Sequence, residues 1–199
     1  MLQLARLATA LALSGLAAGL PACSRHTGTA ASAQAAADAP GGPFTLVNQD
    51  GKPVDQSVLN GKWSVVFFGY TFCPDFCPTT LTTLGQTMSL LGPRAKDVQV
   101  VFVTIDPARD SPAALKTYLS SRVFPKNIMG LTGTSAQIAQ VAKGYKVYYQ
   151  KEGTGSNYSM DHSTALYLMS PDGQFRTVIA DGLTPQQDAQ QLTDAMRGA

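Results

Sequence analysis

The chain has 199 residues, of which 44% are hydrophobic, enough for one domain with a substantial core. Its formal net charge is only +2. Lys and Arg are scattered without forming a basic stripe, which leaves a nucleic-acid partner without support. There is no internal repeat, no phosphate-binding glycine loop and no paired-carboxylate signature.

The N-terminus does not read as part of a fold. Arg6 precedes an apolar stretch, Leu7 to Leu16, that is too short to span a bilayer comfortably. That is the pattern of a secretory signal peptide. The segment ends in Leu20-Pro21-Ala22-Cys23. A small residue before a cysteine, with leucine three positions earlier, resembles a bacterial lipoprotein signal, although Pro21 is atypical inside it. On this reading residues 1–23 are a lipoprotein-type signal ending at lipidated Cys23. The chain is then exported, anchored to the membrane by lipid, with its folded domain in the periplasm. Ordinary cleavage with Cys23 incidental, or an uncleaved anchor, are the alternatives. Cysteine arithmetic supports lipidation: three cysteines is an odd number for an exported chain, and modifying Cys23 leaves one pair, Cys73 and Cys77. Residues 24–43 are a flexible linker, rich in Ala, Ser, Thr and Gly and closed by Gly41-Gly42-Pro43. His26 within it reads as a solvated tether residue.

Residues 44–199 form the domain. Phe44 to Val47 is a short strand, and Asp50-Gly51 favours a tight hairpin after it. Trp63 to Tyr70 is an unbroken apolar run that reads as a buried central strand. Cys73-Pro74-Asp75-Phe76-Cys77-Pro78 follows, then a helix over Thr79 to Leu91 with an apolar stripe at Leu81, Leu84, Met88 and Leu91. Val98 to Ile105 is a second buried strand, ended by Asp106-Pro107. Ser111-Pro112 opens a helix, with serine as N-cap and proline in the first turn. Thr134-Ser135 caps another, Ala136 to Lys143, stopped by Gly144. Val147 to Tyr149 reads as a strand and Gln150 to Met160 as a polar, glycine-bearing mobile loop. Thr164 to Met169 is a third core strand. Pro171-Asp172-Gly173 turns the chain into Gln174 to Ile179, and Thr184-Pro185 opens a last helix to Met196. This succession predicts an α/β fold, a thioredoxin-like mixed sheet flanked by helices on both faces.

The chemistry concentrates at the first strand-to-helix junction. Two thiols sit where backbone N–H groups and the helix dipole favour negative charge, so a thiolate forms more easily. Spacing by four is expected to place both sulfurs on one helix face. Thiolates bind soft metals and attack disulfides, and in an oxidising compartment an idle pair tends to become a disulfide. His162 is the only histidine of the domain and lies just before the third core strand. A thioredoxin-like sheet packs that strand beside the central one, which brings His162 near the cysteine turn. Structural zinc wants four protein ligands, and the domain offers two sulfurs and one nitrogen. Cu(I) accepts so few ligands, and Cu(II) can add a water or a carboxylate. Met160 is a candidate accessory thioether on the same side of an extended segment as His162. Asp161 is a candidate for orienting the site or docking a partner.

At these residues the sequence resembles the SCO/SenC family of copper-binding assembly factors for cytochrome c oxidase. The resemblance runs from about Phe44 to the C-terminus. It rests on Phe68-Gly69-Tyr70-Thr71-Phe72-Cys73-Pro74-Asp75-Phe76-Cys77-Pro78-Thr79, on Thr104 to Pro112, on Leu131 to Thr134, and on Asp161-His162-Ser163-Thr164 followed by Pro171-Asp172-Gly173. Phe72 stands where many relatives have histidine. The resemblance implies a thioredoxin-like fold with copper held by Cys73, Cys77 and His162. It also implies delivery of copper to, or thiol reduction of, the dinuclear copper site in the copper-accepting subunit of the oxidase. A periplasmic copper donor or thiol reductant would be a further partner. Asp106 matches an acidic position of the family motif. A metallochaperone rather than an enzyme is expected, with a thiol–disulfide oxidoreductase acting on exported cysteine pairs as the alternative. The Cys-x-x-x-Cys spacing, and the lack of proline from Gly153 to Ser170, favour metal binding over redox catalysis.

Overall fold

The structure is a computed structural model that describes residues 38–198. The expected signal segment, Cys23, His26 and most of the expected linker lie outside those residues. In chain order the elements are β1 (Thr45–Asn48), β2 (Pro53–Asp55), β3 (Trp63–Gly69), α1 (Phe76–Leu91), β4 (Val98–Thr104), α2 (Pro112–Leu119), β5 (Ile128–Thr132), α3 (Ser135–Gly144), β6 (Tyr149–Glu152), β7 (Ser159–His162), β8 (Leu166–Met169), β9 (Phe175–Ile179) and α4 (Pro185–Arg197), with short 3-10 turns at Gln56–Leu59 and Gly92–Asp97. Among the described residues no helix is long and apolar enough to cross a membrane.

One seven-stranded sheet runs in the order β2-β1-β5-β4-β3-β8-β9, and β6 and β7 form a separate two-stranded ribbon. β3, β4 and β5 are parallel, with Val66 opposite Val101 and Val101 opposite Met129. β8 joins β3 antiparallel, with Phe67 opposite Leu166. This is the thioredoxin-like mixed sheet that the sequence predicts. Every residue of β3 is buried, which is why it carries an unbroken apolar run rather than an alternating one. α1 and α4 pack together, while α2 lies on β5 and α3 on β1.

Local chemistry explains the element ends. The hairpin after β1 is closed by the Asn48 side chain, which accepts from Asp50 N and Lys52 N at 3.0 Å each. Ser111 Oγ accepts from Ala114 N at the start of α2. Thr134 with Gln137, and Thr184 with Gln187, form capping boxes at α3 and α4.

The structure departs from expectation in four places. α1 begins at Phe76 rather than Thr79. Pro78 is tolerated inside the first turn because its missing N–H has no intrahelical acceptor there. The two thiols therefore do not share a helix face: Cys77 is in the helix and Cys73 precedes its N-cap, Asp75. The strand expected over Val147 to Tyr149 begins only at Tyr149, and Gln150 to Met160 is no mere loop, since its ends pair as β6 and β7. A ribbon outside the main sheet has little apolar alternation to betray it. β5 is a strand that Gly130 disguises. A Cβ at Gly130 would lie 2.5 Å from Leu119 Cδ1, so the close seating of α2 requires the gap in the apolar run.

Candidate metal centre

The cysteine turn is built by a buried carboxylate. Asp110, fully buried, accepts from Thr71 N at 3.0 Å, from Thr71 Oγ1 at 2.5 Å and from Thr104 Oγ1 at 2.6 Å. Its own backbone carbonyl accepts from Thr132 Oγ1 at 2.8 Å. One side chain thus ties the end of β4 to the chain leaving β3. Burial raises its carboxyl pKa, against the pull of those hydrogen bonds. Two residues on, Cys73 N donates to Tyr70 O at 3.3 Å, and Cys77 N donates to Cys73 Sγ at 3.3 Å.

Both sulfurs are free thiols, Cys73 half-buried and Cys77 fully buried. They divide one proton unequally. Cys77 donates to Cys73, and this interaction is the main cause that brings the Cys73 thiol down to about 5, helped by N–H groups of Cys77 and Asp75 and by the charge of His162. The same interaction, with burial, holds Cys77 far above the ordinary thiol range. Folding therefore lowers the Cys73 pKa from about 8.5. Stability from this group is full above the ordinary thiol range and is lost as pH falls through about 5. Iodoacetamide modification of the reduced protein should accordingly show Cys73 reacting with an inflection near pH 5 while Cys77 stays protected. An inflection near the ordinary thiol value would contradict this.

His162 ends β7, where register with Tyr149 fixes it. Its Nδ1 lies 2.8 Å from Ser163 O. A carbonyl only accepts, so Nδ1 donates to it and Nε2 is the ring nitrogen left to face the cysteines. Nε2 faces Cys77 Sγ at 3.9 Å. The ring packs edge-on against Tyr70 and Phe76, with centroids 6.0 and 6.2 Å away. A hydrogen bond to the remote nitrogen and lateral aromatic packing are what orient a metal-ligating imidazole.

A second polar cluster holds the β6–β7 ribbon. Asp106, 3% exposed, pairs with Arg109 Nε and accepts from Tyr158 OH at 2.6 Å. Arg109 Nη1 donates to Tyr158 O at 2.9 Å. The guanidinium carbon lies 3.5 Å from the Tyr158 ring centroid, 4.6 Å from that of Phe72 and 5.7 Å from that of Tyr70. Arg109 therefore touches both segments that carry the expected donors.

The candidate residues sort accordingly. Cys73, Cys77 and His162 come together. Asp106 spends its carboxylate on Arg109 and Tyr158. Asp161 is exposed and alternates away from His162 along β7, whereas Met160 shares the His162 side and packs against the core. Arg109, Asp110 and Tyr158 escaped the reading of single residues. The signal for the first two was a pair of charges in the turn that follows a buried strand, at the strand ends where such sheets gather their sites. Among the described residues no three His, Cys, Asp or Glu side chains already enclose a space for an ion. The donors meet as pairs instead. The 3.9 Å between Cys77 Sγ and His162 Nε2 suits two donors sharing an ion, at about 2.3 Å from sulfur and about 2.0 Å from nitrogen. Two sulfurs and one imidazole are a soft set, suited to copper.

Comparison with known proteins gives a consistent picture. The family model described as SCO1/SenC matches residues 32–197. The chain is 39% identical over 160 residues to the mitochondrial SCO2 homolog of Bos taurus, covering 78% of this chain and 58% of that protein. It thus spans little more than half of that relative. Among solved structures, ScoI of Bradyrhizobium japonicum with copper bound is 42% identical with a TM-score of 0.72, over 79% of this chain and 99% of that one. A SCO1/SenC family lipoprotein of Bacillus anthracis is 27% identical with a TM-score of 0.68, over 80% and 95%. BsSco, described with a disulfide switch and as a member of the Sco family of cytochrome c oxidase assembly proteins, is 26% identical with a TM-score of 0.64, over 79% and 92%.

Proposed function

This chain belongs to the SCO1/SenC family, and from that premise we propose that it is a copper chaperone, carrying copper as cargo on Cys73, Cys77 and His162. The observation that carries the proposal is the approach of Cys77 Sγ and His162 Nε2 to 3.9 Å, beside a Cys73 sulfur already hydrogen-bonded to Cys77. The likeness to copper-bound ScoI supports it. Cu(I) needs only these soft donors, and Cu(II) completes its shell with a water or carboxylate. The acceptor is the subunit of cytochrome c oxidase that holds a dinuclear copper site, and a periplasmic donor or thiol reductant loads or reduces the chaperone.

The chain's own residues do three things in this scheme. Cys73 supplies a thiolate at neutral pH. Cys77 keeps its proton until the metal displaces it, so loading releases protons. The Ser163 carbonyl holds His162 with Nε2 toward the sulfurs. Oxidation joins Cys73 and Cys77 in a disulfide and removes both soft donors. Reduced protein should retain about one copper per chain through gel filtration and oxidised protein none. Stoichiometric copper on fully oxidised protein would contradict the assignment.

One observation favours a second reading. An accessible low-pKa thiol beside a buried high-pKa one is the arrangement of an attacking and a resolving cysteine. On that reading the pair reduces exported cysteines, including those of the oxidase site, and copper is incidental.

Anchoring is proposed from the Leu20-Pro21-Ala22-Cys23 junction, and the likeness to a family lipoprotein supports it. Cys23→Ala should move the protein from the membrane to the soluble periplasmic fraction, because alanine has no thiol to carry the lipid anchor. Intact mass of the membrane form should show a lipidated N-terminal cysteine. An unmodified N-terminus elsewhere would refute it.

A further inference from the structure

Phe76, whose ring packs against His162, also lines a cavity of about 210 Å³ that the structure leaves without a function. Its walls come from the start of α1 and from the β9–α4 connection. Three carboxylates line it: Asp75, Asp181 and Asp188. None takes part in any of the three ion pairs among the described residues.

Asp188 is the telling residue. It is 3% exposed, yet its Oδ1 has no hydrogen-bond partner, and Oδ2 has only Thr87 Oγ1 at 3.5 Å. Its place in the first turn of α4 suits an anion, but that does not satisfy the orphan oxygen, and a buried unpaired acceptor is costly. Burial, reinforced by the charge of Asp181, lifts the carboxyl to about 6. Asp75 keeps acceptor capacity as well, since it makes no capping bond to α1 and receives only Thr79 Oγ1 at 3.2 Å. Thr79, Thr80 and Thr83 complete the wall.

The shape of this acceptor set selects its ligand. The described residues hold no group of three such carboxylates close enough for a metal ion. Dispersed acceptors around a cavity instead match a cation whose donors are themselves spread out. A guanidinium offers five N–H donors in a flat fork, and the Phe76 ring gives it an aromatic wall.

We propose that this cavity receives an arginine side chain of the polypeptide that docks at the cysteine–histidine face. Naming that polypeptide as the copper acceptor rests on the chaperone reading, whereas the cation site itself does not.

The test uses reduced, copper-free protein, so its outcome is separate from whether the three donors bind copper. N-acetyl-arginine methylamide is titrated at millimolar concentration while backbone amide resonances are followed by NMR, with the neutral citrulline counterpart as control. Saturable shifts are expected at Thr79 to Thr83 and Asp181 to Asp188, with citrulline at least ~10-fold weaker. Asp188→Asn should weaken arginine by a similar factor. The double variant Asp75→Asn, Asp181→Asn, at two exposed positions, should also weaken it and carries the test if Asp188→Asn fails to fold. Equal shifts with citrulline, unchanged binding in the folded variants, or saturation by calcium ions with no response to arginine would each overturn the proposal.

Discussion

Replacing Cys77 with serine should cost at least ~100-fold in Cu(I) affinity, beyond what loss of an outer hydrogen-bond partner of a metal site typically costs. The variant exchanges a soft sulfur for a hard, weakly acidic hydroxyl and leaves His162 Nε2 without its sulfur neighbour at 3.9 Å. A second effect comes with it. The hydrogen bond from the Cys77 thiol is the largest cause of the depressed Cys73 pKa, so Cys73 should return toward the ordinary thiol range. Competition with a chromophoric Cu(I) chelator and the pH profile of Cys73 alkylation measure the two consequences on one sample. Unchanged affinity together with an unchanged profile would mean that the sulfurs do not interact as described.

Gly69→Ala should damage both stability and the site although it removes no donor. A Cβ at Gly69 would lie 2.8 Å from Cys77 Sγ and 3.0 and 3.3 Å from two atoms of the Phe102 ring. Cys77 and Phe102 are both fully buried, so neither has free space to move into. Overpacking of this kind costs about 1–3 kcal/mol. Relief would push Cys77 away from its place, so copper affinity should fall along with Tm. A variant with wild-type Tm and wild-type affinity would place the Cys77 sulfur somewhere other than against Gly69.

Much of this molecule was legible in the sequence because its signals are local. β3 announces itself by an apolar run bounded by turn residues. α2 and α4 carry a hydroxyl cap followed by proline, and α3 a threonine cap with glutamine three residues on. The pairing of the third core strand beside β3, inferred from the expected fold, brings His162 to the cysteines as anticipated. What escaped depends on contacts made through space. α1 starts three residues before the expected Thr79 because the first turn of a helix tolerates Pro78. β5 was hidden by a glycine that exists to seat Leu119. The β6–β7 ribbon lies outside the main sheet and shows no apolar alternation. Asp110 and Arg109 lie inside the Thr104 to Pro112 stretch, but only the folded chain shows one holding the cysteine turn and the other bridging Tyr158 and Phe72.

On the proposed function, Cys73, Cys77 and His162 hold copper together. The deciding measurement is copper binding by His162→Ala, for Cu(I) and Cu(II), beside wild type, Cys73→Ser and Cys77→Ser. His162 gives the domain its one imidazole, and two sulfurs alone are a poor set for the divalent ion. Affinity should fall by at least ~10-fold for Cu(I) and more for Cu(II), while fold, disulfide formation and thiol-exchange rate stay at wild-type values. If His162→Ala instead binds both ions like wild type and supports oxidase assembly where the cysteine variants fail, the copper site is not the one described and thiol exchange is the better account of the pair.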